Sequence, residues 1–225
     1  MITLAFDTAT ADTVVGLHVP GAPPRAAAHV PGPGERPGHV TQLLGLARGL
    51  LDAAGLRWAE VERIGVGLGP GTFTGLRIGV ASARALAQSG GQELVGVGSL
   101  ETLARGAAVD DAVLACLDAR RGEAWVAAWR GAVPLLGAPR AVAPEDLAAL
   151  LTAGSGPWRA VGDGALRFRT ELEAAGVHVA DDDAAVHHLD GGTLVALAAT
   201  ATVVDRDTLE PHYVRAPDAV PTRLR

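Results

Sequence analysis

The residues of this chain best suited to chemistry lie in one stretch, Gly67-Leu68-Gly69-Pro70-Gly71-Thr72-Phe73-Thr74-Gly75-Leu76-Arg77-Ile78-Gly79. An apolar run from Ile64 to Leu68 precedes it, and a small-residue helical pattern follows to about Ser89. A strand, a glycine-rich turn and a helix N-terminus in that order aim backbone N–H groups at an anion. Gly67, Gly69 and Gly71 permit positive φ and close backbone approach, and Pro70 fixes one φ between them. Thr72 or Thr74 can cap the helix, and Arg77 can meet a phosphate or carboxylate bidentately. The stretch is no Walker A motif, because no Gly-Lys-Ser/Thr ends it, and its spacing departs from the dinucleotide fingerprint. Spacing alone leaves two readings open: a phosphate cradle, or tight strand-to-helix packing without a ligand.

Other chemistries find less support. All 19 Lys-or-Arg positions are arginine, so Schiff-base, P-loop and general-base lysines are excluded. Formal charge is −6 and only Arg120 and Arg121 are adjacent, so no basic stripe marks a nucleic-acid groove. No two of the 7 histidines have the i,i+4 spacing that puts two metal ligands on one helical face. His187-His188, near Asp181, Asp182, Asp183 and Asp190, reads as a polar exposed loop rather than a cation site. There is no Gly-x-Ser-x-Gly nucleophile elbow. Cys116 lies inside Val113-Leu114-Ala115-Cys116-Leu117 and reads as a buried, inert thiol. No catalytic residue and no metal ligand set is expected.

The elements that must position the loop follow from periodicity and punctuation. Strands are predicted over Ile2–Asp7, Thr13–Val19 and Ala26–Val30, joined by Asp/Gly/Pro turns as in an antiparallel meander. After a Pro- and Gly-rich loop, a helix is predicted from His39 to Ala54. The glycine stretch and its helix come next, and Ser99 reads as the N-cap of a third helix. A second unit begins near Val109. It contains strands over Val113–Leu117 and Ala124–Trp129 across the charged turn Asp118–Gly122, a short helix at Pro144, a strand over Arg159–Gly162 and a long helix over Thr193–Val204. The division is therefore residues 1–108 as an N-terminal lobe and 109–225 as a smaller C-terminal lobe, whose last helix can pack back on the first. No apolar run approaches the ~18 residues of a membrane span. The single cysteine and the strand-like Met1–Asp7, which lacks a signal peptide's basic start, point to a cytoplasmic setting.

The helix from His39 carries two stripes. Val40, Leu43, Leu44, Ala47, Leu51 and Ala54 are predicted to face the core. His39, Gln42, Leu46, Gly49, Leu50 and Ala53 form a neighbouring face, where a monomer should show charges. Gly45 and Gly49 each cost ~1 kcal/mol relative to Ala inside a helix, a cost that close packing by a partner helix would offset. That second face is the predicted partner interface. On the following helix Leu76, Gly79, Val80, Ala83, Leu86 and Ala87 form the apolar face, and Arg77, Arg84 and Gln88 a polar stripe.

The run from Gly69 to Gly79 resembles the signature of the bacterial TsaB (YeaZ) family. Asp7–Thr10, the helix from His39 with Leu43 and Leu44, Ser99–Ala104, Asp118–Glu123, Gly162–Gly164 and Pro211–Arg215 match in the expected order. The resemblance thus covers nearly the whole chain. It implies an α/β architecture, the actin-like, Hsp70-like and sugar-kinase-like ATPase fold, with two lobes and a reduced second one. In that fold the first hairpin turn holds an Asp and hydroxyl residues near a nucleotide phosphate, the place of Asp7 and Thr8 here. The same two residues equally suit an Asx-type turn that satisfies local N–H groups. Asp7, Thr8, Gly69, Gly71, Thr72, Thr74 and Arg77 are therefore the candidates for a nucleotide, phosphate or interface loop. The motif at Asp118, Arg120, Arg121 and Glu123 implies a partner-facing turn.

The resemblance further implies a non-catalytic subunit that dimerises with and activates the catalytic TsaD subunit, which makes threonylcarbamoyladenosine in tRNA. Such a chain would assemble with the ATPase TsaE, form a homodimer alone, and meet tRNA only within the complex. It would need no cofactor of its own, with ATP, magnesium and metal held by the partners; the His-x-x-x-His metal motif of TsaD does not occur here. The alternative is a small phosphotransferase or ATPase using Asp7 and the glycine stretch. It lacks a lysine, and Gly162-Asp163-Gly164 is its one candidate second phosphate loop.

Overall fold

Two strands buried on both faces and an exposed edge strand build an antiparallel meander in the first thirty residues, β1 (Thr3–Asp7), β2 (Thr13–His18) and β3 (Arg25–His29). The structure, a computed structural model, describes residues 1–151 and 157–214. Helix α1 (His39–Ala53) crosses back so that β4 (Arg63–Gly67) lies parallel to β1, and α2 (Phe73–Gly90) does the same for β5 (Glu93–Val97). The first sheet has the order β3-β2-β1-β4-β5. After α3 (Ser99–Gly106) the plan repeats. Strand β6 (Ala112–Asp118) pairs antiparallel with β7 (Ala124–Arg130), which takes β8 (Val133–Pro134) and β9 (Arg140–Val142) on its far side. Past α4 (Leu147–Leu151), β10 (Trp158–Val161) returns parallel to β6; past α5 (Asp163–Arg167) and α6 (Arg169–Ala174), β11 (Val177–Val179) returns parallel to β10. A meander followed by parallel crossovers, built twice with shorter outer strands in the second copy, is the actin-like α/β fold that the family resemblance implied.

Three apolar clusters hold this together. One lies between the first sheet and α1–α2, around Phe6, Leu43, Leu51 and Val80. Another lies under the second sheet, around Leu147, Phe168 and Leu172. The third joins the two sheets through α3 and α7 (Gly191–Thr200), with Val97, Leu103, Leu117 and Leu194 in contact. Helix α7 packs against β1 and β2. Gly16 and Gly191 permit that approach, since a Cβ at Gly16 would collide with the Gly191 carbonyl.

Two elements depart from expectation. The last helix starts at Gly191, capped by Asp190, whose carboxylate accepts from Thr193 N at 2.6 Å, and it stops at Thr200 rather than Val204. Its closing carbonyls are taken by the Arg63 guanidinium, at 3.2 Å from Ala198 O and 2.7 Å from Ala199 O. That guanidinium satisfies groups a helix end leaves orphaned. The β-branched residues that follow suit a strand edge better than a helix, and Val203 bridges Val95 instead.

Helix α1 is rotated from its expected setting. Its buried positions are His39, Leu43, Ala47, Leu50 and Leu51. Val40 and Leu44, predicted as core, are 77% and 52% exposed, whereas His39 and Leu50, predicted for the partner face, are 4% and 8% exposed. The physical reason is polar. His39 Nδ1 pairs with the Thr13 hydroxyl at 2.9 Å, which anchors the first turn over β2 and sets the rotation; an apolar periodicity gives an imidazole no weight.

Candidate functional site

The glycine stretch and the first hairpin turn form one unit at the C-terminal ends of β1, β4 and β5, where parallel α/β sheets gather their functional groups. Asp7, the last residue of β1, is fully buried. Its Oδ1 accepts from Ala9 N at 2.7 Å, an Asx turn, and its Oδ2 accepts from Ser99 Oγ at 2.6 Å. Burial pushes the Asp7 carboxyl up from 3.8, against the opposing pull of the Ser99 and Ala9 hydrogen bonds. Ser99 also accepts from Gly69 N at 3.1 Å. Sequence periodicity gave Ser99 the role of helix cap; Gly98 is the N-cap residue, and the Ser99 hydroxyl instead joins three strand ends. The signal that could have revealed this is positional, since residues just past adjacent parallel strands must converge.

The turn fills the hollow of the loop. Thr8 Oγ1 donates to Gly75 O at 2.7 Å, and Thr72 N donates to Ala9 O at 2.7 Å. A Cβ at Gly67 would strike the Asp7 carboxylate, at Gly71 the Ala9 carbonyl, and at Gly75 the Thr8 carbonyl. Gly67 is required by the close approach of the Asp7 carboxylate and Gly71 and Gly75 by that of the Thr8–Ala9 backbone, and Gly69 is the one with positive φ, 94°. Thr72 caps α2, its hydroxyl accepting from Gly75 N at 3.3 Å, so of the two candidate caps it is the one used. Thr74 and Arg77 point outward from the first turn. Arg77 stacks its guanidinium 3.7 Å over the Phe73 ring centroid. Of the candidate loop residues, Asp7, Thr8, Gly69, Gly71 and Thr72 meet in one packed unit, while Thr74 and Arg77 belong to the surface.

The expected partner face is half retained. Gln42 and Leu46 are half-buried, and Gly49 and Ala53 are exposed on α1, joined there by Val40 and Leu44. A Cβ at Gly45 or Gly49 would meet nothing within 4 Å. Beside Leu44 an apolar groove of about 560 Å³ runs between α1 and α2, with Trp58, Ile64 and Leu86 in its walls. Arg48 and Asp52 form an exposed pair at 2.7 Å at the far end of this face.

A cleft of about 190 Å³ separates the two lobes, lined by Thr10, Asp12, Asp163, His187, His188 and Leu103 among others. That is below the ~300–1,000 Å³ of ordinary small-molecule sites. His187, read from sequence as exposed, is buried, its Nδ1 within 3.2 Å of Gly162 N and its Nε2 within 3.3 Å of Ala180 O. His188 Nδ1 pairs with Asp12 Oδ2 at 2.7 Å. No local pattern announces these pairings, which span the chain. Among the described residues no three His, Cys, Asp or Glu side chains are placed to share a metal ion, and no helix is long and apolar enough to cross a membrane. Cys116 is buried, which raises its thiol pKa. At the second hairpin, Asp118 receives Arg167 through both carboxylate oxygens at 2.8 Å, and Arg120 and Arg121 adopt positive φ.

Known proteins resemble this chain in sequence and in fold. A family model described as TsaD, tRNA N6-adenosine threonylcarbamoyltransferase, matches residues 34–152. The tRNA threonylcarbamoyladenosine biosynthesis protein TsaB of Escherichia coli (strain K12) is 35% identical over 95 residues, 41% of this chain and 41% of that protein. The protein of the same name from Bacillus subtilis (strain 168) is 36% identical over 88 residues, 39% of this chain and 38% of that one. The chain thus aligns with well under two thirds of these relatives' length. The solved structure of YeaZ from Pseudomonas aeruginosa superposes with a TM-score of 0.76 at 26% identity, covering 94% of this chain and 100% of that one. More than half of the chain falls within the family model, the two TsaB proteins match it in sequence and YeaZ matches it across nearly the whole fold: the chain belongs to the threonylcarbamoyltransferase-related family, in its TsaB (YeaZ) branch.

Proposed function

We propose that this chain serves tRNA threonylcarbamoyladenosine biosynthesis as a non-catalytic subunit, docking on a TsaD-like catalytic subunit and favouring that subunit's competent conformation. The observation that carries the reading is the outward face of α1. It exposes Val40 and Leu44 beside Gly45 and Gly49, on a helix whose interior glycines gain nothing from the monomer. A partner helix laid along that face and into the groove at Leu86 would bury apolar surface and meet a flat backbone. Docking energy that favours one conformation of the partner shifts its population and thereby its activity. The names of the TsaB relatives supply the process.

The same reading assigns this chain no cofactor of its own and leaves ATP, magnesium and metal with the partner subunits. A TsaE-like ATPase would join the assembled complex, tRNA would be met only there, and two copies of this chain would pair through the α1 face when the partner is lacking. A phosphotransferase built on Asp7 would need room for a phosphate where the Asp7–Ala9 backbone lies against the glycine stretch. The test is Gly49→Arg, with size-exclusion mass measured alone and with a TsaD homologue. The open space around Gly49 predicts a folded variant that fails to associate. Normal association would remove α1 from the interface.

A further inference from the structure

Residues 201–214 run the length of α2 without forming an element of their own. Val203 bridges Val95, Val204 N donates to Leu94 O at 2.8 Å, and Leu209 is buried in the same apolar cluster as Leu68 and Leu94. Asp207 lies 3.8 Å from Arg84 in the middle of α2. His212 N donates to Leu68 O at 2.8 Å, which brings Tyr213 onto the first turn of the helix. There its ring packs against Phe73 at 5.4 Å between centroids, and its hydroxyl lies 3.3 Å from Arg77 Nε. Arg77 covers Phe73 as well. The three side chains form a closed set on a turn whose other flank is the Asp7–Ala9 unit.

Tyr213 is 42% exposed, so a core role does not account for the set. Its contacts fall on the first turn of α2, the helix whose last turns, at Leu86, Ser89 and Gly90, wall the groove against α1. We propose that residues 201–214 act as a strap that fixes the first turn of α2, with Tyr213 as its positioning residue, and that this couples the C-terminal segment to the competence of the α1–α2 face. The coupling rests on the partner reading above; the fixing of the turn does not. Aromatic pairs of this kind shift local equilibria by about two- to tenfold beyond the area they bury. The geometry assigns the effect to the ring stack rather than to the hydroxyl, since Arg77 already stacks on Phe73 in its own right.

The experiment compares the wild type with Tyr213→Ala and Tyr213→Phe in the full chain. It reads amide hydrogen exchange over residues 73–80, the unfolding midpoint, and affinity for a TsaD homologue. Tyr213→Ala is expected to speed exchange in the first turn about two- to tenfold. Affinity should weaken by a similar factor while the midpoint stays unchanged, and Tyr213→Phe should restore both readings. Unchanged exchange in Tyr213→Ala overturns the strap. Faster exchange with unchanged affinity overturns the coupling. A wild-type chain that does not bind the homologue overturns the partner reading and the coupling together, and exchange alone then decides whether Tyr213 holds the turn.

Discussion

Ser99 Oγ stands 2.6 Å from Asp7 Oδ2 and 3.1 Å from Gly69 N, so one hydroxyl joins the start of α3 to the ends of β1 and β4. These residues are 92 and 30 positions apart in the chain. The bond completes the partners of a carboxyl group that has no access to water. An Asp in the first turn of this fold can serve a bound phosphate or the fold itself, and here every oxygen of Asp7 is committed to the chain.

That commitment has a pH signature. Burial raises the Asp7 pKa above 3.8, so the folded state holds a proton that the unfolded state has released. Stability from this group is complete below 3.8 and is lost as pH rises through the raised folded value. Asp7→Asn keeps an oxygen for Ala9 N and removes the charge. Its stability relative to the wild type is expected to be greater at pH 7 than at pH 4 in urea unfolding. A constant difference across that range would show that Asp7 titrates normally.

His39 works in the opposite direction. Burial lowers its pKa below 6.5, so the unfolded state takes up a proton first as pH falls. Its contribution is fully present above 6.5 and is lost as pH drops through the lowered folded value. Replacement by Gln removes the titration, and the variant's thermal midpoint should decline less than the wild type's between pH 7 and pH 5. Parallel declines in the two proteins would assign the acid sensitivity elsewhere. Because His39 opens α1, its protonation would loosen the first turn of the proposed docking helix.

The fold was legible where sequence and local physics agree. The meander, the crossover helices and a threonine cap on α2, at Thr72 or Thr74, follow from apolar runs, turn residues and hydroxyl chemistry, because each depends on neighbours within a few residues. The rotation of α1 did not follow, since the decisive contact is between His39 and Thr13, 26 positions apart. The end of α7 was missed for the same kind of reason: Arg63, on the far side of the sheet sequence, takes its last carbonyls. Within the candidate site, the glycines were found and their use was not. Spacing cannot tell a backbone held close to an anion from one held close to another backbone, and Thr8 and Ala9 supply the second.

The two kinds of glycine predict opposite outcomes. A methyl group at Gly75 would overlap the Thr8 carbonyl, a backbone atom that cannot swing away. Gly75→Ala should therefore cost about 1–3 kcal/mol, as overpacked cores do. At Gly45 a methyl group meets open space in a helix interior, and Gly45→Ala should raise monomer stability by up to ~1 kcal/mol. Denaturant midpoints of the two variants decide it. Equal destabilisation would mean that Gly45 is already covered in the isolated chain.

Leu44 and Leu50 share a helix but not an environment, being 52% and 8% exposed. Asp at Leu50 would bury an unpaired charge among Leu43, Leu51 and Val61, a change that costs several kcal/mol and should unfold the first lobe. Asp at Leu44 faces solvent in the monomer and should leave the circular dichroism spectrum and unfolding midpoint nearly unchanged. In a complex, the same carboxylate would be pressed into the groove beside Trp58 and Leu86, where the one cation in the lining, Arg48, is already paired with Asp52. Loss of binding to a TsaD homologue by a folded Leu44→Asp, beside an unfolded Leu50→Asp, would place the contact on the Val40–Leu44 side of α1. If Leu44→Asp binds as the wild type does, the glycines of α1 need another explanation, and the docking surface must be sought away from this helix.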